Sequence, residues 1–211
     1  MLTLYFSPGA CSTASHIGCE ETGAPYEEKL TSLPKGEQKT EAYLKINPRG
    51  KVPALVVDGH TITENTAILT YLAKRFPEKN LIPKDPVGEA HCIGTMAWFS
   101  NTVHPSFTHI FRPERFVEGE EAQKSVKALG KKSFWDNLSE VDRLLGSNQW
   151  MLGDQYTVAD CYAMVFYGWG ARVELPLQDL KNYTAWKERM LQRPAVRKVL
   201  ESEQNILVAK K

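Results

Sequence analysis

The chain has 211 residues, and its 26 lysines and arginines nearly balance its 25 aspartates and glutamates, which gives a net charge of +1. This charge gives no reason to propose a nucleic-acid partner or an acidic membrane surface, and no apolar run is long enough to span a bilayer. The first residues also lack the basic and apolar regions of a signal peptide. We therefore expect a cytoplasmic protein without membrane association, whose length suits two small domains.

The first part of the chain predicts strands and helices in the order βαβ, then αββα. A β-prone run over residues 2–6 ends at Ser7-Pro8-Gly9, and a helix over residues 12–22 ends with Gly23 at its C-cap. The other elements are predicted as strands over residues 25–30, 54–57 and 60–63, and as helices over residues 37–46 and 65–76. Since a βαβ unit gives a parallel pair and a hairpin an antiparallel pair, we expect a mixed four-stranded α/β sheet.

The second part of the chain predicts helices only. We place a first domain at residues 1–78, a proline-rich linker at 79–86 and an all-α helical bundle at 87–211. Thr157 and Asp160 predict a capping box at the start of an apolar, central helix. The helical patterns of the bundle cover residues 87–112, 120–145, 157–170, 180–193 and 195–203.

The turn between the first strand and the first helix carries Cys11 and Ser12. A thiol at a helix N-terminus lies against exposed amides, which favour a thiolate and lower the pKa of a cysteine. Cys11 is equally consistent with a small packed residue, and Ser12 with an N-cap whose hydroxyl could also donate to a ligand sulfur. Tyr5 could donate to a thiolate too, although such a tyrosine more often only packs in the sheet.

Val52-Pro53 precedes the third predicted strand. Proline at the start of a strand cannot donate to the sheet, so the N–H and C=O of Val52 are left free for an extended, peptide-like ligand. The Val52-Pro53 bond is also a natural place for a cis peptide. The alternative is a rigid edge of a sheet without a ligand.

A helix that starts near Glu64 and Asn65 offers unpaired N–H groups to a carboxylate, and the acid could hold an ammonium group. Asn65 is also simply a favoured N-cap residue. Together with Val52, these two residues predict a pocket for a small zwitterionic peptide.

His104 precedes Pro105 inside a predicted helix, which the proline must kink or break. A break that faces the cleft between the domains would give His104 a functional position, and the alternative is a partly buried histidine at a kink. None of the five histidines has a second one four residues away beside a carboxylate, so the sequence predicts no metal site.

Four motifs carry a resemblance to a known family. They are Pro8–His16, Asn47–Leu55, Thr63–Ile68 and Gly153–Asp160, in that order. Over essentially its full length the chain resembles the cytosolic glutathione transferases, and Pro8–His16 resembles the bacterial beta class in particular. The resemblance implies a thioredoxin-like N-terminal domain, an all-helical C-terminal domain, a homodimer, and glutathione as the co-substrate.

The resemblance also implies a place for glutathione. Its cysteinyl backbone would pair with Val52 before cis-Pro53, and its γ-glutamyl end would lie on Glu64 and Asn65. Lys35 would reach the glycyl carboxylate. Lys51 completes the predicted glutathione-binding set.

The catalytic residues implied by the resemblance are Cys11 beside the glutathione sulfur, where it could form a mixed disulfide, and His104 from the second domain, with Ser12 as a further donor. The thiolate would attack a small hydrophobic electrophile or a disulfide, in a role of detoxification. The electrophile is expected in an apolar cleft near Phe107, Tyr167 and Trp169. In one variant Cys11 is itself the redox nucleophile. The alternative function is a non-catalytic glutathione-fold binding or partner-interaction protein.

Overall fold

The computed structural model describes residues 1–208, so the last three residues of the predicted second domain lie outside the described part of the chain. The N-terminal part is a four-stranded sheet with three helices. Its strands have the spatial order β2-β1-β3-β4, in which β1 and β2 are parallel and the other two pairs are antiparallel. The elements are β1 (Leu2–Phe6), α1 (Ser12–Thr22), β2 (Tyr26–Leu30), α2 (Glu41–Leu44), β3 (Ala54–Val57), β4 (His60–Thr63) and α3 (Asn65–Arg75).

Burial alternates along β1, where Leu2, Leu4 and Phe6 face the core of the first domain. The helices α1 and α3 pack closely together, because a Cβ atom added to Gly18 would lie only 2.6 Å from a methyl carbon of Leu69. This packing places the N-termini of α1 and α3, which carry the predicted site, beside each other.

The predicted helix over residues 37–46 is much shorter in the structure. Glu37–Lys39 forms a 3₁₀ turn, and α2 spans only Glu41–Leu44. Thr40 separates the two, since its backbone is extended and its hydroxyl accepts a hydrogen bond from the N–H of Tyr43, as an N-cap does. The segment is therefore two short turns instead of one polar helix.

The C-terminal part is helical throughout its regular elements. The helix α7 is buried along residues 158–170 and forms the centre of the bundle. The elements are α4 (Pro86–Trp98), α5 (His104–Phe111), α6 (Glu120–Leu145), α7 (Val158–Arg172), α8 (Lys181–Leu191) and α9 (Pro194–Ser202). The predicted domain boundaries at residues 78 and 87 stay a prediction, and α4 begins at Pro86. Within residues 1–208, no helix combines the length and the apolar composition that crossing a membrane requires.

The predicted capping box is present at the start of α7. Thr157 and Asp160 exchange hydrogen bonds there, and the buried Asp160 carboxylate also accepts from the N–H of Met151 and from Nε1 of Trp186. Burial raises the pKa of Asp160 to about 6, although these donors oppose the change. Asp160 therefore joins α7, α8 and the preceding turn.

The chain does not break at Pro105. Phe99–Val103 forms a π-helical segment that joins α4 to α5, and the N–H of His104 donates to the C=O of Phe99, five residues earlier. Pro105 stands in the first turn of α5, where a missing N–H costs little. At the place of the expected kink or break, the structure thus has a π turn, a feature that is frequent at functional sites.

Candidate functional site

Cys11 lies at the N-cap position of α1, and its side chain is partly buried. Its thiol donates to the C=O of Val52, with 3.5 Å between sulfur and oxygen. Burial and the negative charge of Glu64 raise the pKa of Cys11 to about 12, although Lys51 lowers it. The thiol is therefore protonated at neutral pH, because desolvation outweighs the helix N-terminus that would favour the thiolate alternative.

Ser12 is fully buried, and its hydroxyl is already in use. It accepts from the N–H of Ser7 at 3.0 Å and donates to the C=O of the same residue at 3.1 Å. Since its one proton is committed to Ser7, the Ser12 hydroxyl ties the end of β1 to α1 and cannot donate to a ligand. This argues against the catalytic role expected of Ser12.

The Val52-Pro53 peptide bond is cis. Among the described residues, neither the N–H nor the C=O of Val52 has a backbone partner, because the pairing of β3 begins at Ala54. The turn before it is held by Tyr43 and Asn47, whose side chains both donate to the C=O of Lys51 at 2.7 Å. Within residues 1–208 the structure therefore presents, beside Cys11, a residue whose backbone N–H is free and whose C=O accepts only from the Cys11 thiol.

The N-terminus of α3 lies on the other side of Cys11. Glu64 is its N-cap residue and has a positive φ of 72°, which is uncommon for a residue with a side chain. Its carboxylate is exposed and reaches Arg49 at 3.2 Å. The first N–H groups of α3 have no partner within their own helix, so they can bind an anion.

Asn65 is buried and points inward, which the sequence did not indicate. Its Oδ1 accepts from the hydroxyl of Ser15 at 2.6 Å, and its Nδ2 donates to the C=O of Cys11 at 2.9 Å. The side chain thus ties α3 to α1. What Asn65 can still offer a ligand is its backbone N–H.

The two predicted lysines, Lys35 and Lys51, are both exposed, and neither forms an ion pair within residues 1–208. Lys51 also acts across the cleft, since its positive charge contributes to a lowered pKa of His104. Lys51 therefore lies between the two parts of the molecule.

His104 packs edge-on against Trp169, with 4.8 Å between ring centroids. Burial, helped by the positive charges of Lys51 and Arg115, lowers the pKa of His104 to about 4. The imidazole is therefore neutral at physiological pH and can donate one hydrogen bond and accept another.

The cleft has a stacked aromatic wall. Phe107 lies parallel to Trp169 at 4.3 Å and to Phe111 at 5.6 Å, measured between ring centroids. Nε1 of Trp169 donates to the C=O of Gly9 at 3.0 Å, so the wall is fixed to the loop before Cys11.

Tyr167, which we expected in the same wall, lies elsewhere. Its hydroxyl contacts Thr184 at 3.0 Å, and its ring packs against Tyr183 of α8. Two residues along a helix are turned by about 200°, so Tyr167 and Trp169 cannot share one face of α7. The expectation for Tyr167 is wrong.

Glu203 is a residue of the site region that the sequence analysis missed. Its buried carboxylate, just after α9, accepts from the N–H of Gly9 at 2.9 Å and from the hydroxyl of Thr13 at 2.6 Å, and it lies 2.8 Å from Nδ1 of His16. No local signal could have identified it, because its partners lie between 187 and 194 positions earlier in the sequence.

Tyr162 was missed as well. It is nearly fully buried on α7, and its pKa is raised by burial and by the neighbouring Cys11 and Glu64, which places its hydroxyl near the thiol. Across the described part of the chain, no group of three or more His, Cys, Asp or Glu side chains is placed to hold a metal ion.

Comparison with known proteins follows the same two-part division. Residues 1–74 match the model of the glutathione S-transferase N-terminal domain, and residues 96–194 match that of the glutathione S-transferase C-terminal domain. Glutathione S-transferase GstA of Escherichia coli O157:H7 is 33% identical over 205 residues, which cover 96% of this chain and 98% of that protein. The chain belongs to the glutathione S-transferase family.

Solved glutathione S-transferase structures have the same fold. A glutathione transferase homologue from Sulfitobacter, with bound glutathione, is 30% identical and has a TM-score of 0.90 over 96% of this chain and 98% of that one. The bacterial beta-class glutathione S-transferase of Sphingomonas chungbukensis is 34% identical, with a TM-score of 0.84 over 95% and 98% of the two chains.

These comparisons confirm the predicted family, the thioredoxin-like domain with its mixed four-stranded sheet, and the helical second domain. They also confirm the predicted class of enzyme, a glutathione transferase with glutathione as a substrate. They do not favour the alternative of a non-catalytic binding protein.

Proposed function

We propose that this glutathione transferase joins the sulfur of glutathione to a small, apolar electrophile held between the two domains. The glutathione thiolate attacks an electrophilic carbon, a carbon–sulfur bond forms, and the leaving group departs with its electron pair. The thiol proton is released to solvent. The observation that carries this proposal is the backbone of Val52, which has no backbone partner among the described residues and lies next to Cys11.

The glutathione-binding roles follow from the chemistry of the groups around Val52. The N–H and C=O of Val52 can pair with the cysteinyl backbone of glutathione as a short antiparallel strand. The γ-glutamyl carboxylate can accept from the first N–H groups of α3, and the Glu64 carboxylate can hold its ammonium group. Lys35 and Lys51 are assigned to the glycyl carboxylate because both are exposed cations.

We assign Cys11 the role of hydrogen-bond donor to the glutathione thiolate. Its raised pKa of about 12 keeps the proton on its sulfur, so the thiol can exchange its hydrogen bond to the C=O of Val52 for one to a nearby negative charge. The neutral His104 adds a second possible donor from the opposite domain. Positioning the two substrates in one cleft is expected to contribute more to the rate than the change in thiol pKa.

The aromatic wall of Phe107 and Trp169 supports an apolar electrophile. Both side chains are nearly fully buried and stack on each other, so this wall is rigid and apolar, which suits an aromatic or conjugated partner. Tyr167 has no part in this role.

The test is conjugation of 1-chloro-2,4-dinitrobenzene, followed by its absorbance, with the variants Glu64→Gln and Glu118→Gln. Glu64→Gln should raise the KM for glutathione by about tenfold, since a charge-assisted hydrogen bond to the ammonium group is lost. Glu118→Gln lies in an exposed loop and serves as the control. Absence of turnover by the wild type with a panel of aryl, alkyl and epoxide electrophiles would refute the proposal.

Disulfide chemistry at Cys11 is tested separately by intact mass and peptide mapping after incubation with glutathione disulfide. In that exchange the Cys11 thiolate would form a bond to one glutathione sulfur and release the other glutathione as a thiolate. An adduct on Cys11 alone would support a redox role, and the buried Cys19, Cys92 and Cys161 serve as internal controls. Retained conjugation by Cys11→Ala without the adduct would restrict Cys11 to redox chemistry.

We also propose that the protein is a cytoplasmic homodimer that takes part in detoxification, as the family resemblance implies. Sedimentation equilibrium should give twice the mass of the chain, and a monomer at micromolar concentration would contradict the assembly.

A further inference from the structure

Arg172 ends the central helix α7 at the mouth of a cleft of about 260 Å³, which lies between the loop before Cys11 and the chain after α9. Its guanidinium carbon lies 5.7 Å from the ring centroid of Phe111, and a Cβ atom added to Gly9 would lie 3.6 Å from its Nη2. Trp169 lines the same cleft. The cation therefore stands at the outer end of the aromatic wall, close to the loop that carries Cys11.

Arg172 has no acidic partner in the part of the chain that the structure describes. Ion pairs within residues 1–208 involve five other arginines, namely Arg49, Arg112, Arg143, Arg193 and Arg197. The acid that lines the same cleft, Glu203, already accepts from Gly9 and Thr13 and contacts His16. The charge of Arg172 is thus available to a ligand.

Two further cations act on His104, which packs against Trp169 of the aromatic wall. They are Lys51 and Arg115, and neither forms an ion pair within the described chain. The aromatic wall therefore has a cation at its outer end, Arg172, and is exposed through His104 to the positive charges of the other two.

We propose that Arg172 selects the electrophile, and that this cleft prefers an acceptor that joins a flat aromatic or conjugated part to a carboxylate. The guanidinium can bind a carboxylate with two parallel hydrogen bonds, while the flat part of the acceptor lies against Trp169, which lines the same cleft. The inference rests on the proposed function, since the same cleft is taken to hold the electrophile.

The kinetic test uses two acceptors of nearly equal shape, 4-chloro-3-nitrobenzoate and 4-chloro-3-nitrobenzamide. In both, the glutathione sulfur bonds to the ring carbon and chloride leaves, so the pair differs only in the charge of the distal group. Each kcat/KM is divided by the rate constant of the uncatalysed reaction of the same acceptor. For the wild type, the resulting value should be at least about tenfold higher for the benzoate than for the benzamide. Arg172→Gln should bring this preference close to one, while its kcat/KM for the benzamide changes less than about threefold.

Two variants control for loss of structure and for general charge. Arg172→Lys keeps the positive charge but not the two parallel N–H donors of the guanidinium, so it should retain part of the preference for the benzoate. Arg197→Gln removes an exposed cation of α9 that pairs with Glu201, and it should leave the preference unchanged. An equal loss of activity of Arg172→Gln with both acceptors, or a wild type without the preference, would overturn the inference.

A binding measurement tests the role of Arg172 separately from the proposed transferase function. The S-aryl glutathione products of the two acceptors are titrated into the wild type and Arg172→Gln by isothermal calorimetry. Tighter binding of the carboxylate product by the wild type alone would support the role of Arg172. Equal binding of both products by the wild type would overturn the inference only, and failure of both products and of glutathione to bind would refute the proposed function.

Discussion

Cys11 shows how burial can override a favourable position on a helix. Its sulfur stands at the N-terminus of α1, where the exposed amides favour a negative charge, yet the surrounding protein removes the water that a thiolate needs. The nearby Glu64 acts in the same direction as burial. In the absence of glutathione the residue is therefore a donor and a weak nucleophile.

We predict that Cys11 reacts slowly with iodoacetamide at pH 7.5. Because its pKa is raised to about 12, the thiolate fraction is very small, and alkylation should be at least about a hundredfold slower than for an ordinary thiol. Mass spectrometry after timed quenching measures the rate at Cys11, and the unfolded protein in guanidinium gives the reference. Rapid alkylation of Cys11 in the folded protein would contradict the raised pKa.

Asp160 is the second residue whose environment sets its chemistry. One carboxylate oxygen accepts from Met151 at 2.9 Å and Trp186 at 2.8 Å, and the other accepts twice from Thr157. In Asp160→Asn the amide nitrogen would face at least one N–H donor in either orientation. We therefore expect a loss of about 2–4 kcal/mol in the free energy of unfolding, measured by urea titration. The exposed Asp136→Asn on α6 is the control, and a loss below about 1 kcal/mol would contradict this account.

The raised pKa of Asp160 also predicts how the stability difference between the wild type and Asp160→Asn depends on pH. The pKa of Asp160 is raised from 3.8 to about 6 in the folded protein, so the folded state binds this proton more tightly than the unfolded chain does. A raised pKa contributes stability below the unfolded value and loses it as the pH rises through the folded value. The stability advantage of the wild type over Asp160→Asn should therefore grow as the pH falls from about 7 to about 4.

At the scale of elements, α9 supports the start of α1. The Glu203 carboxylate after α9 holds the N–H of Gly9 and the hydroxyl of Thr13, which flank Cys11 in the sequence. The end of the chain thus fixes the loop that carries the candidate catalytic thiol.

We predict that Glu203→Ala raises the KM for glutathione and lowers stability by about 2–4 kcal/mol, because two buried donors lose their acceptor. Steady-state kinetics and urea unfolding measure the two effects. Glu201→Ala removes an exposed carboxylate two residues earlier and should change both by little. If Glu203→Ala lowered stability without changing the KM, the support of the loop by Glu203 would be refuted.

The elements that could be predicted from the sequence are those with local signals. The Asp58-Gly59 turn determines β3 and β4, and the Thr157-Asp160 pair marks the start of α7, so both agree with the structure. Tyr167, the inward Asn65 and Glu203 could not be predicted, because helix rotation and contacts between distant segments decide where these side chains point.

At the scale of the whole molecule, the two domains are joined by polar contacts as well as by apolar packing. Arg193 and Glu21 form a two-pronged ion pair at 2.7 Å and 2.8 Å, in addition to the contacts of Trp169 and Glu203 with the first domain. Both domains therefore maintain the geometry of one site.

We predict that the fragment 1–78 does not bind glutathione. The fragment lacks the partners of Gly9 and Thr13, so the loop before Cys11 loses its supports and buried apolar surface of α1 becomes exposed. Retention on immobilised glutathione compares the fragment with the full chain. Binding by the fragment at the affinity of the full chain would show that the second domain is dispensable for this step.

The hydrogen bond from Trp169 to Gly9 also makes Trp169 an intrinsic fluorescent probe of the site. The indole lies against Phe107 and His104 and donates to the loop beside the candidate thiol, so a change in that loop alters the polarity around the chromophore. Substrate arrival should therefore be visible in the emission of the wild type without any attached dye, and the signal should vanish in Trp169→Phe.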